Sequence, residues 1–242
     1  MSFKTKTAAL IVIGNEILTG RTQDKNVNYI AKQLFINGIL LNYVCIIPDK
    51  KDIIIDSIKF MKNNYDFIIT TGGIGPTHDD ITSESIAKAL DLNLEINNLA
   101  LRELEKYYQK TKLPLNEYRK KMAFMPVGSK IIKNKISGAP GYFIENIYVF
   151  PGIPKLVLKM FKQFLNLTKS KSKFYKKSLI TYKFESEIVD ILQQAEIKFK
   201  IKVGSYPKID EDNRYVEIVL VSINREKILK AANYIKKNLL NV

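Results

Sequence analysis

The chain has 242 residues, 46% of them hydrophobic, which is enough for one large domain and one small. No apolar run approaches the roughly 20 residues of a membrane span, residues 1–7 carry no signal-peptide pattern, and the single cysteine, Cys45, excludes an internal disulfide; no membrane partner and a cytoplasmic setting are expected. The net charge of +15 is spread along the chain, densest at Lys169, Lys171, Lys173, Lys176 and Lys177, so it reads as a solvated surface and predicts no specific nucleic-acid partner.

Residues 7–14 read as a first strand that ends at a loop carrying Glu16. Asn26 is placed to cap a helix in which Val27, Ile30, Ala31 and Leu34 share a face, closed by Asn37 and Gly38. Residues 40–47 form a second strand-like run, in which Cys45 reads as a buried small hydrophobe. Asp49 then starts a helix with Ile54, Ile58 and Met61 on one face, and residues 65–71 form a third, continuously apolar strand. Strand, helix, strand, helix, strand predicts an α/β fold, a parallel sheet of right-handed crossovers with helices on both faces. Helices are expected at 83–90, 99–110 and 116–123, then a loop around 137–141 and a short strand at 148–150 that delivers Pro151, Gly152, Ile153 and Pro154. Residues 168–177, rich in lysine and serine, read as a linker, and the pattern beyond them predicts a small β-α-β-β-α module. The expected domains are 1–168 and 169–242.

The densest chemistry lies between the third strand and the helix after it. Thr70-Thr71-Gly72-Gly73-Ile74-Gly75-Pro76-Thr77-His78-Asp79-Asp80-Ile81-Thr82 puts three glycines and two adjacent carboxylates at a strand end. Gly72, Gly73 and Gly75 let backbone N–H groups approach an anion, and the following helix, with Thr82 as N-cap and Glu84 in its first turn, adds a favourable dipole. Carboxylates would repel a phosphate unless a divalent cation lay between them, so Asp80, then Asp79 and Glu16, are the candidate catalytic and metal-ligating residues. Glu16 could instead cap a backbone turn. The Thr77 hydroxyl is expected to hold phosphate oxygens, and Ser137, Gly138 and Gly141 to line the opposite wall, with Pro151 and Gly152 closing the pocket. His78, the one histidine, reads as an exposed turn residue and is left out of the site.

This string resembles the signature of the molybdopterin-binding MoaB/Mog domains, in the CinA-like (competence/damage-inducible) branch. A related module forms the N-terminal part of eukaryotic FAD synthases. Four further motifs carry the resemblance: Gly14-Asn15-Glu16-Ile17-Leu18 with residues 20–26; Arg119-Lys120-Lys121-Met122-Ala123 leading to Pro126 and Gly128; Ser137-Gly138-Ala139-Pro140-Gly141, followed by Tyr142 where the family usually has Phe; and Pro151-Gly152-Ile153-Pro154. Gly204-Ser205-Tyr206-Pro207 resembles a motif of the branch's small C-terminal module, which has been compared with KH domains. Gly204 is that module's one glycine, so it lacks the Gly-x-x-Gly clamp of a nucleic-acid-binding KH domain and reads as structural or dimer-forming.

The resemblance implies a metal-dependent nucleotide pyrophosphatase that uses Mg²⁺, Mn²⁺ or Co²⁺ to convert ADP-ribose or a related dinucleotide into AMP and a phosphate ester. It also implies two alternatives, molybdopterin binding with adenylylation during cofactor assembly, and a pterin- or nucleotide-binding module without turnover. A small-molecule partner and a homo-oligomer are expected. The amidohydrolase domain of longer CinA proteins is not expected, nor is its nicotinamide-nucleotide deamidation.

Overall fold

The computed structural model describes residues 5–168, 173–209 and 214–239. The chain falls into two compact units, residues 1–170 and 171–242.

The larger unit is built on a six-stranded sheet in the order β2-β1-β3-β8-β7-β6. Strands β1 (Lys6–Ile13), β2 (Ile39–Ile47), β3 (Phe67–Thr71) and β8 (Ile147–Phe150) run parallel. The edge pair β6 (Lys130–Ile132) and β7 (Gly141–Ile144) joins antiparallel. The parallel-type sheet with helices on both faces is as expected, with this antiparallel edge added to it. Only Glu145 and Asn146 separate β7 from β8, and a two-residue connection makes a hairpin because a parallel crossover needs a dozen residues or more.

Alternate residues of the central strands feed two cores, as a sheet covered on both faces requires. Ala9, Ile11, Ile13, Ile68 and Val149 pack under α3 (Lys51–Lys62), α4 (Thr82–Ala89) and α5 (Asn98–Thr111). Leu10, Val12, Ile69 and Phe150 pack under α2 (Asn26–Ile36) and α7 (Pro154–Thr168). Helix α7 went unassigned from sequence. It opens with Pro154, whose fixed φ suits a first helical position, and buries Met160, Phe161 and Phe164. Cys45 is half-buried, because β2 is an edge strand.

The helix expected at 116–123 is only the short α6 (Glu117–Lys120) and a 3₁₀ turn at Lys121–Ala123. Ala123 O accepts from Asn97 N (2.9 Å) and draws the chain into β5 (Phe124–Pro126), which pairs with β4 (Leu94–Ile96).

The smaller unit has an antiparallel sheet, order β10-β11-β9, from β9 (Tyr175–Thr181), β10 (Lys202–Ile209) and β11 (Arg214–Ser222). Helices α8 (Glu185–Phe199) and α9 (Arg225–Leu239) supply Ile188, Leu192, Ile228 and Ile235 to its core. Of the lysine-rich passage read as a linker, residues 169–172 lie outside the described residues, and Lys176 and Lys177 belong to β9. Among the described residues no helix is long and apolar enough to cross a membrane.

Candidate functional site

Loops leaving the carboxyl ends of β1, β2, β3 and β8 converge on one cleft, the place where parallel α/β sheets bind ligands. Gly14 N donates to Ile47 O (3.1 Å) and ties the ends of β1 and β2 together. The short helix α1 (Asn15–Leu18) carries Glu16, and Asn15 N donates to Asp49 Oδ2 (2.8 Å). Asp49 therefore does not start α3, which begins at Lys51. Its carboxylate crosses to the first loop instead, where it shares a cavity of about 350 Å³ with Glu16, Asp79 and Asp80.

Burial pushes the Asp49 carboxyl above the usual range, the Asn15 N–H opposes this, and the charges of Glu16 and Asp79 push it further up. Exposed Asp79 is held low, by the Thr77 hydroxyl first and then by its own backbone, with weaker help from His78 and Lys121.

The glycine loop is set by steric necessity. Gly72 has φ +104°, and a Cβ there would lie 2.0 Å from Ile13 O, so only glycine lets the exit of β3 pass the end of β1. Thr82 is the first residue of α4 and not its N-cap, which is Ile81. Its buried hydroxyl donates to Gly72 O (3.0 Å) and its N–H to Gly73 O (2.9 Å), so the helix start braces the loop from behind.

Asp80 Oδ2 accepts from Thr77 N (2.8 Å) and Thr77 Oγ1 (2.5 Å), closing the turn on itself. A hydroxyl has one proton, and the carboxylates of both Asp79 and Asp80 face that of Thr77, so a phosphate oxygen would reach it only by displacing a carboxylate. The N–H groups of Gly73, Ile74 and Gly75, by contrast, have no acceptor among the described residues. Lys121 Nζ donates to Thr77 O (2.6 Å), which brings a cation against the loop.

The opposite wall comes from two further loops. Asn26 was expected to cap α2, but Lys25 holds that position, and Asn26 Nδ2, buried, donates to Gly152 O (2.8 Å). Pro151 and Gly152 border an apolar cavity of about 240 Å³ with Ile74, Met122 and Ser137. It shares Gly73, Asp80, Gly152 and Ile153 with the acidic cavity, so the two are halves of one cleft.

Gly138 and Gly141 do not form this wall. A Cβ on Gly138 would meet Tyr107 at 2.3 Å and one on Gly141 would meet Val149 O at 2.3 Å, so both serve close packing. Ala139 lines the cavity in their place. Sequence reasoning missed Asp49, Asn26 and Lys121 as site residues. Asp49 was discoverable, since it follows Pro48 directly beyond the carboxyl end of β2.

The carboxylates fit a divalent metal poorly as they stand. Among the described residues no three of His, Cys, Asp or Glu converge into a ligand set. Asp80 Oδ2 and Asp49 Oδ2 are already engaged by N–H or O–H donors of the loops.

Residues 9–170 match the family described as probable molybdopterin binding domain, and residues 173–241 match FAD synthase, middle domain. A protein of Metallosphaera sedula is 35% identical over 222 residues, covering 88% of this chain and 84% of its own. One from Pyrococcus furiosus is 33% identical over 242 residues, covering 95% of each. A crystal structure of the protein CinA of unknown function from Thermoplasma acidophilum is 30% identical, with a TM-score of 0.63, covering 69% of this chain and 99% of that one. By these likenesses the chain belongs to the molybdopterin-binding domain family, with a MoaB/Mog-like fold and kinship to CinA proteins.

Proposed function

We propose that the cleft binds a flat heterocycle bearing phosphate, first of all a pterin of the molybdopterin class, and that adenylylation of its phosphate is the associated chemistry. The observation that carries this reading is the run of unclaimed N–H donors at Gly73, Ile74 and Gly75, set between an apolar cavity that suits a ring and a polar one. Oriented backbone amides hold an anion without needing a charged side chain. Family membership supports the ligand class. The test is to titrate the protein with pterin and with ATP, following pterin fluorescence and the release of pyrophosphate. Saturable binding of both is expected, and failure of either to bind at millimolar concentration would overturn the reading.

A second reading, hydrolysis of a nucleotide pyrophosphate such as ADP-ribose, is favoured by Asp49. A carboxyl with raised proton affinity beside Glu16 and Asp79 is suited to accepting or donating a proton near the reacting phosphate. Mg²⁺, Mn²⁺ or Co²⁺ would supply counter-charge in this reading, but the residues present form no ready ligand set for it. Release of AMP from ADP-ribose, compared across the three ions, separates this reading from the first. Binding without product from either substrate would make the protein a non-catalytic module.

A further inference from the structure

We propose that the concavity between the 133–137 turn and α7 is a second anion site, separate from the cleft, for a condensed phosphate of two or more linked phosphoryl groups. It measures about 590 Å³, larger than either half of the cleft, and is lined by Lys133, Lys135, Ile136, Lys159 and Gln163.

Two amide side chains hold its frame. Gln163 Oε1 accepts from Lys133 N (3.0 Å) and Gln163 Nε2 donates to Lys133 O (2.7 Å), fixing the end of β6 to α7. Buried Asn134 accepts from Ile136 N (2.9 Å) and Ser137 N (3.3 Å) and donates to Ser137 Oγ (2.7 Å) and Ala139 O (2.9 Å), so the turn that presents Lys135 is braced from within. Three ammonium groups therefore come from two elements locked together.

Their charge is largely uncompensated. Lys133 lies 3.6 Å from Glu103, while Lys135 and Lys159 have no carboxylate within 4 Å among the described residues. Like charges gathered at one concave surface repel unless an anion joins them.

The lining chooses among anions. Among the described residues that line it there is no arginine, whose planar fork is the group suited to bidentate capture of carboxylates, and lysine acts as a point charge that suits phosphoryl oxygens from any direction. Nor is there an aromatic ring among them, so a single-stranded nucleic acid would find charge but no platform for its bases there. The site neighbours the cleft, Ile136 being followed directly by Ser137 of the cleft's apolar half, but the concavity shares no lining residue with either half.

The experiment titrates inorganic tripolyphosphate into the full chain by calorimetry at about 50 mM salt, where phosphate contacts are strong. Wild type, the double variant Lys135→Gln/Lys159→Gln and the charge-matched double variant Lys202→Gln/Lys208→Gln, on exposed lysines of β10 in the smaller unit, are compared, and the methyl resonances of Ile136 are followed in the wild type. The Lys135/Lys159 variant is expected to bind at least tenfold more weakly, the Lys202/Lys208 variant to bind like wild type, and the Ile136 methyls to shift on saturation. Lys135 and Lys159 are exposed, so neither substitution removes packing. Unchanged affinity in the Lys135/Lys159 variant, silent Ile136 methyls, or an equal loss of binding in the Lys202/Lys208 variant would each overturn the assignment. So would a 12-nucleotide single strand that binds more tightly than tripolyphosphate and is lost in the Lys135/Lys159 variant, because that result describes a nucleic-acid surface.

Discussion

Replacing Gly72 with alanine is expected to damage the cleft more than any other single methyl added to its loops, and a paired control isolates the reason. At Gly72 the backbone has φ +104° and the new Cβ would sit 2.0 Å from Ile13 O, a contact that must open by about 1 Å before it becomes tolerable. Neither side gives way cheaply, because β1 lies between β2 and β3 in the sheet. The cost has two parts, about 1–2 kcal/mol for a left-handed conformation in an L residue and about 1–3 kcal/mol for overpacking. Gly20 also has a positive φ, +73°, but nothing lies within 4 Å of its Cβ position. Gly20→Ala should incur only the first part, and the reduced freedom of the unfolded chain is common to both variants. The difference between them, about 1–3 kcal/mol or more, is then the clash together with the stricter backbone demand of φ +104°, which lies beyond the left-handed helical well that Gly20 approaches at +73°. Urea unfolding read at isoleucine methyls measures it, with Ile11 and Ile69 reporting on the larger unit and Ile218 and Ile235 on the smaller. Equal midpoints for the two alanine variants, or a loss confined to the smaller unit's reporters, would refute the reasoning.

Asp80→Asn keeps an oxygen for the Thr77 N–H but loses the charge, and should lower turnover or ligand affinity at least tenfold, about 1.4 kcal/mol, with the fold retained; an unchanged rate in the presence of chelator would count against a role for the carboxylate. Asn26→Ala leaves Gly152 O without its donor, at a cost of about 1–3 kcal/mol if the carbonyl stays dry, and should weaken pterin or nucleotide binding, as the same titrations would read. Tyr142→Phe is expected to leave stability equal or raise it by about 1–3 kcal/mol, because the buried hydroxyl has no hydrogen-bond partner of good geometry among the described residues, although Ser83 lies close enough to ease the upward push of burial on its proton; clear destabilisation would show that the hydroxyl is paired. Asp49 binds its proton more tightly folded than unfolded, so wild-type stability relative to Asp49→Asn should fall as pH rises from the ordinary carboxylate range through the raised folded value, and stay level above it. A difference curve that rises with pH would reverse the assignment.

The parts of the fold that repeat with a period were legible in the sequence. The α2 face of Ile30 and Leu34, the α3 face of Ile54, Ile58 and Met61, and the apolar run of β3 all occupy the core as their spacing implies. The glycine loop was legible because its residue types have few other uses together. What the periodicity could not supply was the antiparallel edge of the sheet, which depends on the two-residue connection at Glu145 and Asn146, and helix α7, whose apolar positions follow directly on the Pro-Gly-Ile-Pro loop.

Three errors at the site share one physical cause. Asn26, Asp49 and Thr82 each stand where a helix is about to begin, and a short polar side chain there is ordinarily satisfied by the backbone a few residues on. In the folded chain each is satisfied far away or in the loop behind it: Asn26 by Gly152 O, Asp49 by Asn15 N, Thr82 by Gly72 O. Local capping and long-range stitching use the same residue types, so sequence spacing cannot tell them apart. The topology can, because in a parallel sheet the carboxyl ends of neighbouring strands lie side by side, and a polar residue just beyond one strand is within reach of the loop leaving the next. By that rule Asp49, two residues beyond β2, is the seam that holds the loop leaving β1, and its carboxylate is thereby delivered to the same cavity as Glu16, Asp79 and Asp80.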